Sequence, residues 1–111
     1  MSTGNVSSSI SSVPVAPLAA LIALSVVTVG IFDVISTNAG LLVGAIEANP
    51  LMAFVQASLG DMWVAPKMGL HLVAALIVLM RPSRIVFACV GTVVAVNTLV
   101  VFNNFAIAAA L

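Results

Sequence analysis

The chain has 111 residues, of which 63% are hydrophobic and only 5% are charged, and its net charge is zero. A soluble domain of this composition, with a mean hydropathy of +1.35, would expose far too much apolar surface to water, so an integral membrane protein is predicted. The balanced charge and the lack of a basic run exclude nucleic acid as a partner.

The chain divides into a polar tail and one apolar domain. Residues 1–13 are rich in Ser and carry no charged side chain, so a flexible N-terminal tail is predicted. Residues 14–111 are predicted to form a single transmembrane domain with helices at about 15–42, 62–80 and 83–106. Each is long enough to cross the hydrocarbon core, which needs roughly 20 apolar residues. The predicted fold class is an all-α integral membrane protein with three transmembrane helices.

A short helix is predicted between the first two membrane helices, at about residues 50–59. Asn49 is a favourable N-cap, and Pro50 is a favourable first helical residue. Gly60 and Asp61 are expected to end this helix, and Asp61 to cap the next one. We expect the short helix to lie at the membrane interface or to be re-entrant.

The orientation follows from the basic residues in the loops. Arg81 and Arg84 lie in the turn between the second and third membrane helices, so this turn is predicted to face the cytoplasm. The N-terminus then lies on the same side. The C-terminus and the segment from Gly44 to Asp61 lie on the opposite side.

Ionisable and polar residues occur at one depth in the three membrane helices. Counting along the helices places Asp33 and Lys67 about 9 to 15 Å below the outer boundary. His71 follows Lys67 by four residues, and Thr37 follows Asp33 by four, so each lies on the same helix face as its predecessor. Asn97 of the third helix reaches nearly the same depth. The sequence therefore predicts a polar layer that all three helices share.

The favoured interpretation of this layer is structural. We expect Asp33 and Lys67 to form an ion pair between helices, with hydrogen bonds completed by Thr37, His71 and Asn97. One alternative is a proton or ion relay through Asp33 and His71. Another is axial ligation of haem or chlorophyll by His71. A single His beside a Lys is a poor metal-ligand set, so no metal site is predicted.

Glu47 is expected to support the start of the short helix, because a carboxylate is favoured near a helix N-terminus, and Asn49 to cap it. In the alternative interpretation, Glu47 folds back and shares Lys67 with Asp33. Asn103 and Asn104 are expected to bond the turn that precedes the short helix.

Small residues at four-residue spacing predict where helices touch, because they let two backbones approach closely. Ser36, Gly40 and Gly44 form the best candidate for such a helix-packing seam. Gly69 and Gly91 each take part in a similar pair with a nearby Ala.

Three elements in order carry a resemblance to a known family. They are Asp-x-x-x-Thr from Asp33 to Thr37, Glu-x-Asn-Pro from Glu47 to Pro50, and the later Lys67. The pattern resembles a family of small bacterial inner-membrane proteins that is classified only as a domain of unknown function. The resemblance covers about residues 31–80 and implies a three-helix fold in the bacterial inner membrane. It also groups the shared residues as one constellation: Asp33, Thr37, Glu47, Asn49 and Lys67. It implies no activity.

No nucleophile, paired-carboxylate or phosphate-loop pattern occurs in the sequence, so we expect no enzymatic activity and no cofactor. We expect a non-catalytic accessory or assembly subunit of a larger membrane protein complex. Its partners are then membrane lipids and other integral membrane proteins or further copies of itself. The alternative is a small homo-oligomeric ion or proton transporter or channel that uses the layer of Asp33 and Lys67.

Overall fold

The computed structural model describes residues 15–111, and the predicted tail lies outside this range. The described residues form four α-helices, which we number α1 to α4. Their bounds are Val15–Leu42, Pro50–Leu59, Val64–Met80 and Arg84–Ala110. A 3-10 turn, Gly60–Trp63, joins α2 directly to α3.

Three helical stretches are long and apolar enough to cross a membrane. They are α1, the stretch from Pro50 to Met80 that contains α2 and α3, and α4. The prediction of an all-α fold with three such helices is therefore confirmed. The short helix is also present as α2, although only the 3-10 turn separates it from α3.

Helix α1 is the centre of the bundle. It packs extensively against both α3 and α4, whereas α3 and α4 contact each other much less. Its buried residues recur at steps of three or four, so they form one stripe along a single face. This stripe contains Ala19, Ala23, Val26, Gly30, Asp33, Ser36 and Gly40. Small apolar side chains fill its first half, and polar side chains occur in its second half.

The apolar half of the bundle lies toward the turn between α3 and α4. Val26 of α1 and Val78 of α3 are almost completely buried there, together with Ala19, Ala23, Ala75 and Val90. In a bilayer the lipid tails are as apolar as these side chains, so close van der Waals packing, and not the removal of water, holds this half together. The polar half of the same helices supplies the candidate site.

Side-chain caps define the starts of α2 and α4. The Oδ1 atom of Asn49 accepts hydrogen bonds from the main-chain N–H groups of Leu51 at 3.0 Å and Met52 at 3.4 Å. The Oγ atom of Ser83 accepts one from the N–H of Val86 at 3.2 Å. These caps satisfy donors that have no partner inside the helix. The predicted cap at Asn49 is therefore confirmed.

The predicted cap of the next helix is wrong. Asp61 does not cap α3, since the residue before that helix is Trp63, which makes no side-chain cap. The 3-10 turn carries the chain into α3 without a break at which a cap is needed. Helix α4 ends at Ala110, a few residues beyond the approximate end at residue 106. The late Asn104 does not interrupt it, because its side chain bonds to α1.

Candidate functional site

An ion pair joins α1 to α3 inside the polar half of the bundle. The Nζ atom of Lys67 lies 2.9 Å from Oδ2 of Asp33, and Asp33 is only 1% exposed. Apart from this ammonium, Oδ2 has no polar partner among the described residues. The other oxygen, Oδ1, accepts a hydrogen bond from Oγ1 of Thr37 at 3.3 Å. The Lys67 ammonium therefore contacts one oxygen of this carboxylate, and the Thr37 hydroxyl contacts the other.

Helix α4 joins the same network through Asn104. Its Nδ2 group donates to Oγ of Ser36 and to Oγ1 of Thr37, both at 3.3 Å. Ser36 in turn donates to the main-chain oxygen of Asp33 at 3.1 Å. The chain of contacts from Asn104 through Thr37 and Asp33 to Lys67 thus spans all three long helices. The expected bond from Asn104 to the turn before α2 is wrong, because this amide faces α1.

His71 makes a second polar contact between helices. Its Nδ1 atom lies 2.9 Å from the main-chain oxygen of Lys67, which only accepts hydrogen bonds, so Nδ1 carries the hydrogen. Its Nε2 atom lies 3.3 Å from Nδ2 of Asn97 on α4, and the network assigns Nδ2 as the donor to it. The imidazole ring thus connects the main chain of α3 to a side chain of α4. It packs directly against Gly30, where an added Cβ would lie 2.6 Å from the ring carbon Cγ.

These contacts weigh against two alternative roles of His71. Both ring nitrogens have protein partners, so neither is directed at open space where haem or chlorophyll would bind. A relay to Asp33 lacks a direct side-chain contact, because His71 bonds the main chain of Lys67. Within residues 15–111, no three His, Cys, Asp or Glu side chains come together in a way that could hold a metal ion.

Glu47 organises the turn before α2. Its Oε1 atom accepts a hydrogen bond from the main-chain N–H of Asn49 at 3.1 Å, and its Oε2 atom accepts one from Nε2 of Gln56 at 3.2 Å. The expected support of the helix start is therefore present. The alternative in which Glu47 shares Lys67 is wrong, since Lys67 pairs only with Asp33 among the residues described.

A cavity of about 600 Å³ lies between this turn and the polar half of the bundle. One part of its wall is polar and contains Asp33, Ser36, Thr37, Glu47, Asn49, Lys67, Asn97, Asn103 and Asn104. Another part is apolar and contains Leu41, Ile46, Met52, Val100 and Ile107. All residues of the predicted polar cluster except His71 thus line one space. Its size lies within the range of small-molecule sites, which is about 300 to 1,000 Å³.

The predicted helix-packing seam is only partly present within this chain. Ser36 and Gly40 are buried on α1. Gly44 lies beyond the end of α1 in a turn, with a φ of 90° that side-chain-bearing residues rarely adopt. Gly69 and Gly91 have open space where a Cβ would lie. Within one chain these three glycines therefore make no close helix contact, and a role of the seam in binding a partner stays a prediction.

The close helix contact lies instead at Gly30, which sequence reasoning missed. Gly30 precedes Asp33 by three residues and so lies on the same face of α1, directly opposite His71. The three-residue spacing between Gly30 and Asp33 was the signal in the sequence from which this contact could have been predicted. Gln56 was also missed, because nothing in the sequence indicates that a residue of α2 reaches back to Glu47.

A model of one protein family matches residues 24–109, which is most of the chain. The chain belongs to DUF5658, a domain of unknown function. The DUF5658 region contains the ion pair, His71 and the polar wall of the cavity, so the candidate site lies inside the family's domain. The sequence-based resemblance is confirmed as far as an uncharacterised family. No curated protein and no solved structure matches the chain.

Proposed function

We propose that this protein is a non-catalytic accessory or assembly subunit of a larger membrane protein complex and that it binds its partners through its transmembrane helices. The deep polar side chains support this role, because three sets of contacts among them join two helices of the bundle. Asp33 pairs with Lys67, His71 contacts Asn97, and Asn104 bonds α1. The polar groups are therefore used to fix the arrangement of the helices.

The single observation that carries the proposal is the outer face of α4. In the most apolar 18-residue stretch of α4, only 6% of the residues are buried against the rest of the chain. Ala88, Thr92 and Ala95 are exposed on this face, opposite the buried Val90 and Val101. The hydroxyl of Thr92 bonds the main-chain oxygen of Ala88 at 2.7 Å, so it adds little polarity to the surface. Small residues at this spacing allow another helix to approach closely.

We expect Ala95→Leu to reduce assembly with a partner. A larger side chain on the outer face of α4 keeps a second helix at a greater distance, and the loss of close packing should reduce the assembled fraction at least about tenfold, a difference of roughly 1.4 kcal/mol. The measurement is native mass spectrometry of the protein extracted from its own membrane in lipid nanodiscs, with every polypeptide in the particle identified.

Ala20→Leu is the matched control, because Ala20 is likewise exposed, on α1. It should leave the assembled mass unchanged. The proposal fails if the wild-type particle contains this chain alone, or if the two variants lose the partner equally.

The alternative of a homo-oligomeric ion or proton transporter has less support. The cavity reaches the ion pair of Asp33 and Lys67, as a transport path would require at one end. Beyond that level, toward the turn between α3 and α4, the bundle is filled by apolar residues such as Val26 and Val78. The described chain therefore holds a cavity at one end of the bundle, next to a packed apolar half.

We propose that the protein resides in the bacterial inner membrane and that the residue pattern from Asp33 to Lys67 is common to its family members there. The sequence resemblance supports both statements. We further propose that α2 lies at the interface or re-enters the membrane on the outer side. Arg81 and Arg84 support a cytoplasmic turn between α3 and α4, with the N-terminus on the same side and the C-terminus in the periplasm.

Reporter fusions test this orientation. Alkaline phosphatase is active only outside the cytoplasm, so a fusion after Leu111 should be active in a bacterial host. A fusion within the turn at residues 81–84 should be inactive, and both fusion proteins should be present in equal amounts by immunoblot. The opposite pattern of activities would exclude the proposed orientation.

A further inference from the structure

The side-chain amide of Asn104 has an oxygen without a hydrogen-bond donor. Its Nδ2 group donates to the hydroxyls of Ser36 and Thr37, and both hydroxyls donate their own hydrogens to Asp33. This pattern fixes the orientation of the amide, because a hydroxyl whose hydrogen is already used can only accept. The Oδ1 atom of Asn104 is therefore the end of the amide that has no partner among the described residues.

A second amide on α4 also has an oxygen without a donor. Asn97 precedes Asn104 by seven residues, about two helical turns, so both lie on one face of the helix. It contacts His71 through Nδ2, and its Oδ1 atom has no donor within residues 15–111. Neither oxygen is buried, since the one buried side-chain atom there without a hydrogen bond is Oδ2 of Asp33. Both residues line the cavity, whereas lipid tails have no donors to offer.

Lys67 and Asn103 add unused hydrogen-bonding groups to the same wall. An ammonium has three N–H donors, and that of Lys67 contacts only Asp33 among the described residues. The Lys67 side chain is 20% exposed. Asn103 is exposed and makes no side-chain hydrogen bond to the described part of the chain. The cavity wall therefore has both acceptors and donors available to an occupant.

These groups favour one class of ligand. An ammonium could donate to the amide oxygens, but it would be repelled by Lys67. A carboxylate or phosphate could accept from Lys67, but in its ionised form it has no hydrogen to donate to the amides. A hydroxyl group does both and carries no charge. Leu41 and Met52 belong to the apolar part of the wall, which suits a hydrocarbon chain attached to such hydroxyls.

We propose that this cavity binds a neutral group with two or more hydroxyls, such as glycerol or a sugar, attached to a short apolar chain. The hydroxyls donate to the oxygens of Asn97, Asn103 and Asn104, and one of them accepts a hydrogen bond from Lys67. Lys67 stays paired with Asp33. The ligand is either a free alkyl polyol or the headgroup of a lipid, which present the same hydroxyls. This binding role goes beyond the proposed assembly function and does not depend on the outer face of α4.

The test is isothermal titration calorimetry with hexylglycerol, a hexyl ether of glycerol with two hydroxyls, on the full chain in nanodiscs of phosphatidylcholine. This lipid headgroup has no hydroxyl, and the heat from protein-free nanodiscs is subtracted. We expect saturable binding at one site per chain. The dimethyl ether of the probe can accept but not donate, so it should bind at least about tenfold more weakly. Equal binding of the two compounds, or no saturable binding of hexylglycerol, would overturn the proposal and leave the cavity to water alone.

Asn103→Ala tests the site with little disturbance of the fold, because this amide makes no hydrogen bond to the described chain. We expect the variant to bind hexylglycerol about three- to tenfold more weakly, the usual effect of one lost hydrogen bond. Asn38→Ala is the matched control, because Asn38 is an exposed amide of α1 outside the cavity. Its affinity should be unchanged. An Asn103→Ala variant that binds as tightly as the control would contradict the proposed site.

A second lipid composition identifies the source of the hydroxyl groups. One tenth of the phosphatidylcholine is replaced by monoolein, a lipid whose headgroup is glycerol. If the apparent affinity for hexylglycerol falls, the lipid headgroup competes for the site. If the affinity is the same in both lipids, a free polyol is the ligand. Either result supports a hydroxyl site once the dimethyl ether and Asn103→Ala behave as expected.

Discussion

Replacing Lys67 by Met should lower the free energy of unfolding by about 3 to 5 kcal/mol, the usual cost of removing one partner of a buried ion pair. The reason is the burial of Asp33, which is 1% exposed and loses the only cation paired with it among residues 15–111. Methionine fills a similar volume, so the effect reports the lost charge more than lost packing. The measurement is reversible unfolding in mixed detergent micelles, with each variant compared to the wild type.

The double variant Asp33→Asn with Lys67→Met separates the two explanations for such a loss. It leaves no buried charge, so most of the stability should return, to within about 1 to 2 kcal/mol of the wild type. The hydrogen bond from Thr37 can still be accepted by the oxygen of Asn. A double variant as unstable as Lys67→Met would show that Lys67 acts through packing of its stem and not through its charge.

Gly30→Ala should destabilise the bundle by about 1 to 3 kcal/mol, although alanine normally favours a helix over glycine. The added Cβ would lie 2.6 Å from Cγ and 2.7 Å from Cδ2 of His71. Both atoms belong to the stiff base of the imidazole ring, so the ring has to move. Its contacts to Asn97 and to the main chain of Lys67 should be lost together. Reversible unfolding under the same conditions measures the effect.

Two further variants identify the cause of this loss. Gly69→Ala is the matched control, because an added Cβ there has no neighbour within 4 Å, and it should not reduce stability. His71→Ala removes the two ring atoms nearest the added Cβ and leaves the Cβ of residue 71 at 3.0 Å, so Gly30→Ala in that background should cost less than in the wild type. Additive losses from the two substitutions would contradict the proposed clash.

The sequence sufficed to predict the helices because their signal is local. Long apolar stretches, the Asn49 cap and the basic turn at Arg81 and Arg84 are each contained within a few residues. The ends of the helices were less predictable, since they depend on contacts with residues far away in the sequence. The polar Asn104 is atypical of a membrane helix, and its side chain is satisfied by bonds to α1, about 67 residues earlier in the chain.

The ion pair at the centre of the candidate site was predictable from the sequence, but the helix faces around it were not. Counting from the helix ends placed Asp33 and Lys67 at one depth, and the structure joins them at 2.9 Å. Depth alone does not fix the rotation of a helix about its axis. The sequence therefore did not indicate that Gly30 faces His71, or that Gly69 and Gly91 face away from the bundle.

The central position of α1 has a consequence for how the chain enters the membrane. During translation Asp33 of α1 is synthesised before its ion-pair partner, Lys67 of α3. A carboxylate at the centre of a lone membrane helix costs about 2.5 to 3.5 kcal/mol on insertion scales. The arrival of α3 therefore stabilises α1 in the membrane, because Lys67 balances the charge of Asp33.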